Sequence, residues 1–186
     1  MKKFLGRFTT FDLVSIALLS ACGIAAKPFV RLLTQMLTGT IIPAGAVAGI
    51  FYMLWIVLAC GVTKKRGTAI LVGIVQALLV VVFDMLGNMG LGNLLVYILP
   101  GIVLELGMLL FPGYVSSVFS GFTAGMLANV TGSFLKGLVF MRLPLVPLLI
   151  SLGLAAVSGG AGGVIGFKLY DMVAGINRPK QPALKE

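Results

Sequence analysis

Long apolar stretches, punctuated by basic residues, prolines and Gly-Asn clusters, divide the chain into six candidate helices. They cover about 11–26, 41–61, 68–86, 94–111, 113–135 and 144–172. Apolar runs of about 18 or more residues are long enough to cross the roughly 30 Å hydrocarbon layer as helices. Alternation with period two is not evident, which argues against a transmembrane barrel. The first segment is short and has an extension available beyond Lys27-Pro28. Pro112-Gly113 predicts a very tight connection between the fourth and fifth spans. The expected fold is therefore an all-α integral membrane protein. Residues 1–176 form a bundle of six transmembrane helices, and 177–186 form a polar cytoplasmic tail.

Composition supports this class. The chain is 59% hydrophobic and only 10% charged, too little polar surface for a soluble domain of this size. A net charge of +9 suggests nucleic acid in a soluble protein, but here the basic residues flank apolar segments and set orientation. With the N-terminus inside, the inner face receives Lys2, Lys3, Arg7, Lys64, Lys65, Arg66, Lys168, Arg178, Lys180 and Lys185. The outer face receives Lys27, Arg31, Lys136 and Arg142. Both termini are thus expected in the cytoplasm, in a multi-pass protein of the plasma membrane with no nucleic-acid partner. The first apolar segment lacks a small-residue cleavage site and reads as a retained helix.

Enzyme chemistry finds little support. The sequence contains no histidine, which removes the commonest general base and the commonest metal ligand. Cys22 and Cys60 lie inside apolar segments and read as small buried hydrophobes. The nine methionines are dispersed. No metal site and no resident cofactor are expected. No phosphate-binding loop is present either, so any coupling to ATP must come from a partner.

Small residues and rare polar residues carry the remaining information. Ala17, Ala21 and Ala25 form a stripe on the first helix that lets another helix approach closely. Gly121 with Gly125, Ala124 with Ala128, and the run Gly159-Gly160-Ala161-Gly162-Gly163 read as close helix packing, with a broken, mobile helix as the alternative for the run. Ionisable groups inside a membrane are costly and normally face a protein interior or cavity. Asp84 falls about 24 Å along the outward-running third span and Glu105 about 17 Å down the inward-running fourth. Asp84, Asn88, Asn93, Tyr97, Glu105 and Asn129 are therefore expected to converge on a substrate cavity open to the outside, with Gln76 deeper. Trp55 reads as an anchor at the inner interface, and Asp12 as a charge favoured by the first helix's dipole. Glu105 is the expected ligand anchor. A carboxylate in low dielectric pairs with an aminopyrimidine-like or cationic ligand through two parallel hydrogen bonds, and Tyr97 could stack on its ring.

Together these features resemble the substrate-binding S components of energy-coupling factor (ECF) transporters, over nearly the whole chain. Ala17, Ala21 and Ala25 match and extend the family's Ala-xxx-Ala motif. The stretch from Gly67 to Phe111, with its basic turn, Gln76, Leu86-Gly87-Asn88 and Glu105, looks most like the YkoE-type S components, linked to thiamine or its hydroxymethylpyrimidine precursor. The cobalt and nickel branch begins with Met-His, whereas this chain begins Met1-Lys2-Lys3. The resemblance implies capture of a water-soluble vitamin at the outer face and docking of the alanine stripe on a transmembrane scaffold subunit. Two cytoplasmic ATPases would then drive toppling and inward release. The alternatives are an S component for another vitamin such as cobalamin, a stand-alone small secondary transporter or channel, or a membrane assembly protein.

Overall fold

The computed structural model describes residues 6–38, 44–83 and 87–176, and all regular structure among them is helical. The order is α1 (Thr10–Thr38), α2 (Ala44–Val47), α3 (Gly49–Thr63), α4 (Thr68–Val82), α5 (Asn93–Gly107), α6 (Val118–Phe134) and α7 (Leu145–Ile176). Short 3-10 turns at Gly87–Gly92 and Met108–Leu110 flank α5, and a π-helical turn at Leu135–Phe140 extends α6. Four stretches are long and apolar enough to cross a membrane: Thr10–Met36, Gly90–Leu110, Val118–Phe140 and Leu145–Gly175. The shorter α3 and α4 are apolar throughout. Large side chains such as Phe29, Val82 and Leu110 point outward, as a surface solvated by lipid requires. The polar tail at 177–186 lies outside the described residues.

Each predicted span finds its helix, with differences at the ends. The first continues through Pro28 to Thr38. The second is interrupted at Ala48, giving the four-residue α2 before α3. The fifth starts at Val118 rather than 113, because Ser117 and Ser120 form a reciprocal cap. Ser117 Oγ accepts the Ser120 N–H at 3.1 Å, and Ser120 Oγ accepts the Ser117 N–H at 2.9 Å. The turn between α3 and α4 uses Lys64 at φ 51° and Gly67 at φ 99°, and the second of these angles favours a residue without a Cβ.

Glycine sets the helix spacing. A Cβ on Gly121 would meet the Gly163 carbonyl oxygen at 3.0 Å, and one on Gly162 would meet that of Ile50 at 2.5 Å. The glycine run therefore lets α7 lie backbone to backbone on α3 and α6, and α7 passes through it unbroken. Ala124 and Ala128 are fully buried in the same layer. Across the bundle, a Cβ on Gly73 would sit 2.7 Å from the Tyr97 carbonyl oxygen. That close approach seats the start of α5 against α4.

Candidate functional site

The predicted site residues separate into two groups at opposite ends of the bundle. The first turn of α1, the α3–α4 turn and the end of α5 share one end. There Lys65 Nζ pairs with Asp12 Oδ2 at 2.5 Å, and Asp12 also accepts the Thr9 N–H at 2.7 Å. Glu105 belongs to this end. Its Oε1 accepts the Ala69 N–H at 2.9 Å, in the first turn of α4, and the Tyr114 hydroxyl at 2.5 Å. Tyr114 Oη also lies 3.3 Å from Cys60 Sγ, and Arg66 donates to the Phe111 carbonyl oxygen at 3.1 Å. Glu105 is thus a carboxylate at a helix N-terminus, where free N–H groups and the helix dipole both favour a negative charge. It does not come together with Tyr97.

Asn129 is committed to packing. Its amide donates to the Ala155 carbonyl oxygen at 3.0 Å and to Ser158 Oγ at 3.1 Å, and Ser158 in turn donates to the Ala46 carbonyl oxygen. These bonds tie α6, α7 and α2 together. Asn88 lies in the 3-10 turn before α5, and Asn93 opens that helix, so both are at the same end of the bundle as Tyr97. Asp84 lies outside the described residues.

The polar cluster that does form is built on Lys27. Because α1 continues past Pro28, Lys27 stays inside the bundle, about 26 Å from the start of its helix. Its ammonium sits 3.9 Å from the centre of the Tyr97 ring and 5.5 Å from that of Tyr52. It also donates a long hydrogen bond, 3.5 Å, to Oε1 of the buried Gln76. Ring faces carry the negative lobe of the aromatic quadrupole, so the two tyrosines partly replace the water that Lys27 gives up. Gln76 Nε2 and Trp55 close the floor. A Cβ on Gly23 would meet them at 3.0 and 3.3 Å, so the glycine lets α1 pass this close without displacing either side chain. Trp55 therefore packs inside the bundle, whereas the sequence suggests an interfacial anchor.

Arg31 lies one turn further along α1 and is exposed, and Lys136 lies in the π-helical turn after α6. Among the described residues no carboxylate pairs with Lys27, Arg31 or Lys136; the ion pair found there, Asp12 with Lys65, is at the other end. Sequence reasoning missed the Lys27 cluster by reading Lys27 as a topology marker. The available signal was Lys27 and Arg31 four residues apart, on one helical face, inside a segment that remains apolar beyond Pro28.

Near the cluster, Ala17, Ala21 and Ala25 all lie on the exposed face of α1. Ala21 and Ala25 line an apolar cavity of about 400 Å³ together with Ile24, Pro28 and Phe83. Cys60 is buried as expected, but Cys22 is exposed on this same helix.

The comparisons agree with the architecture. A solved structure of an S component of an ECF transporter superposes with a TM-score of 0.72 at 22% identity, covering 91% of this chain and 87% of that one. The shared feature at that identity is the fold. No curated protein matches the sequence. The family model for the permease component of ABC-type cobalt transport systems matches residues 11–131. That match spans well over half of the sequence, and the chain, with the fold of an ECF S component, belongs to this family of transport-system permease components.

Proposed function

We propose that this chain is the membrane-embedded substrate-binding subunit of an ECF-type ABC importer, capturing a water-soluble vitamin or vitamin precursor from the outer face. The observation that carries this reading is the Lys27 cluster. Tyr52, Tyr97 and Gln76 surround one ammonium within an otherwise apolar bundle, and Trp55 lies with Gln76 against Gly23. Flat aromatic faces with a few placed polar groups are what a small planar heterocycle needs. The best candidates are hydroxymethylpyrimidine and thiamine. Of the two, the neutral pyrimidine suits the cluster better, because Lys27 already occupies the ring faces that a thiazolium cation would seek. Gln76 offers an amide edge to an aminopyrimidine, the role that the sequence suggests for Glu105.

The cobalt ion in the family's description is a poor cargo for these residues. The chain has no histidine. Among the described residues no three of Cys, Asp and Glu gather, and the outer cluster is itself cationic. ATP would be hydrolysed by two partner ATPases, and the exposed stripe Ala17, Ala21, Ala25 would dock on the transmembrane scaffold. The test is a thermal-shift and calorimetric screen of purified protein against thiamine, hydroxymethylpyrimidine, riboflavin, biotin, folate and cobalamin. One ligand that raises the melting temperature and loses its effect in Gln76→Ala supports the reading. A folded protein that binds none of them, and transports without ATP or partners, favours a stand-alone transporter instead.

A further inference from the structure

We propose that Lys27 is a charge filter: its ammonium fills the aromatic site as a built-in cation, so the site admits an uncharged planar ring that offers a hydrogen-bond acceptor and refuses a cationic one. This rests on the capture reading above and names its substrate class. A cation within about 6 Å of a ring centroid is drawn to the ring face. Lys27 Nζ meets that condition twice, 3.9 Å from the centre of Tyr97 and 5.5 Å from that of Tyr52. Lysine and rings come from three separate helices, α1, α5 and α3, and Gln76 from a fourth, α4. The arrangement is therefore a product of the whole bundle. Aromatic faces gathered around a positive charge are also how proteins take ligand cations such as quaternary ammonium groups. Here the place is held by a charge that is covalently part of the chain. A second cation entering it would lie close to Lys27 in an interior that screens charge poorly, and is repelled. An uncharged ring meets no such opposition. The ammonium has three N–H donors, and its hydrogen bond to Gln76 Oε1 is long at 3.5 Å. A ring nitrogen or carbonyl oxygen can take a shorter bond from Lys27, while the buried Gln76 amide meets the ring's edge.

Ring pairs that differ in charge test this: nicotinamide with 1-methylnicotinamide, and hydroxymethylpyrimidine with thiamine. Purified protein in phosphatidylcholine nanodiscs is titrated with each, read by calorimetry and by the fluorescence of Trp55, the chain's single tryptophan, which lies with Gln76 against Gly23. Wild type is expected to bind the uncharged member of a pair at least about tenfold tighter than the cation, which is about 1.4 kcal/mol. Lys27→Met keeps the apolar stem and removes the charge. It is expected to bind the cation at least about tenfold tighter than wild type does, and Lys27→Gln serves in its place if the methionine variant does not fold. Lys27→Arg keeps the charge and should go on refusing the cation. The gain in Lys27→Met should vanish when Tyr97→Leu is added; a gain that survives places the cation elsewhere and overturns the filter. Equal or tighter binding of the cation by wild type, or a folded uncharged variant that refuses it as wild type does, overturns the filter and leaves the capture reading standing. Binding of no member by wild type or variant also overturns the filter, and the capture reading fails with it only if the vitamin screen is blank as well.

Discussion

The Lys27 ammonium lies 3.9 Å from the centre of the Tyr97 ring, so the one lysine that α1 carries into the bundle rests on an aromatic face supplied by α5. The contact needs the ring and not its hydroxyl. Tyr97→Phe should therefore leave substrate affinity within about threefold, since phenylalanine keeps the quadrupole. Tyr97→Leu removes both the lysine's partner and the surface on which a ligand ring would lie. At about 0.5–2 kcal/mol for such a contact, it should weaken binding by roughly 2- to 30-fold. Calorimetry with the ligand identified by the screen decides it. Equal losses in both variants would mean that the hydroxyl, not the ring, does the binding.

Glu105 makes its described contacts with the Ala69 N–H and the Tyr114 hydroxyl. Glu105→Gln keeps the shape but exchanges a charged acceptor for a neutral one, at a helix end that favours negative charge. The expected result is a loss of about 1–3 kcal/mol in stability, read as a lower melting temperature, with ligand affinity changed less than about threefold. Tyr114→Phe should give a smaller loss of the same kind. A variant of normal stability whose affinity has dropped tenfold would return Glu105 to the ligand.

The contrast between Glu105 and Lys27 shows what the sequence could and could not reveal. The six apolar spans were legible because hydrocarbon imposes length and composition directly on each segment. The packing role of Gly121, Gly125 and the 159–163 run was legible too, because spacing alone places small residues on one face. Glu105 was legible as an ionisable group inside a span, but not its partners. Those come from the first turn of α4 and from Tyr114, whose φ of 49° no periodicity announces. Lys27 was misplaced for a different reason. Proline normally ends a helix, so Lys27-Pro28 looked like the edge of the membrane. In the structure α1 runs on to Thr38 and carries Lys27 inward. Asn129 shows the same limit: the sequence reads it as lining an outward cavity, and its bonds to Ala155 and Ser158 could not be read there.

Two glycines of α7 should respond to substitution with opposite signs. A side chain on Gly162 would meet the Ile50 carbonyl oxygen at 2.5 Å and that of Gly49 at 2.8 Å. Both are backbone atoms, so α3 must move away. Gly162→Val should cost about 1–3 kcal/mol, as overpacked cores do. A Cβ on Gly153 meets nothing within 4 Å. There Gly153→Ala should raise stability by about 0.5–1 kcal/mol, the usual gain from replacing glycine in a helix interior. Thermal unfolding of both variants in one detergent checks the pair. Equal destabilisation would show that helix spacing at Gly162 does not depend on backbone contact.

The alanine stripe makes the last prediction. Ala17, Ala21 and Ala25 face outward. On the proposed docking reading, their small size serves a partner helix approaching to backbone distance. Ala21 also lines the apolar cavity with Pro28 and Phe83, which gives such a helix a recess to enter. Ala21→Trp should therefore leave the melting temperature and the ligand affinity of the isolated chain unchanged, while abolishing co-purification of the scaffold and ATPase subunits. Ala21→Gly, smaller still, should retain the complex. If the tryptophan variant assembles normally, the stripe faces lipid alone. If it loses stability in isolation, α1 has an intramolecular contact on that face.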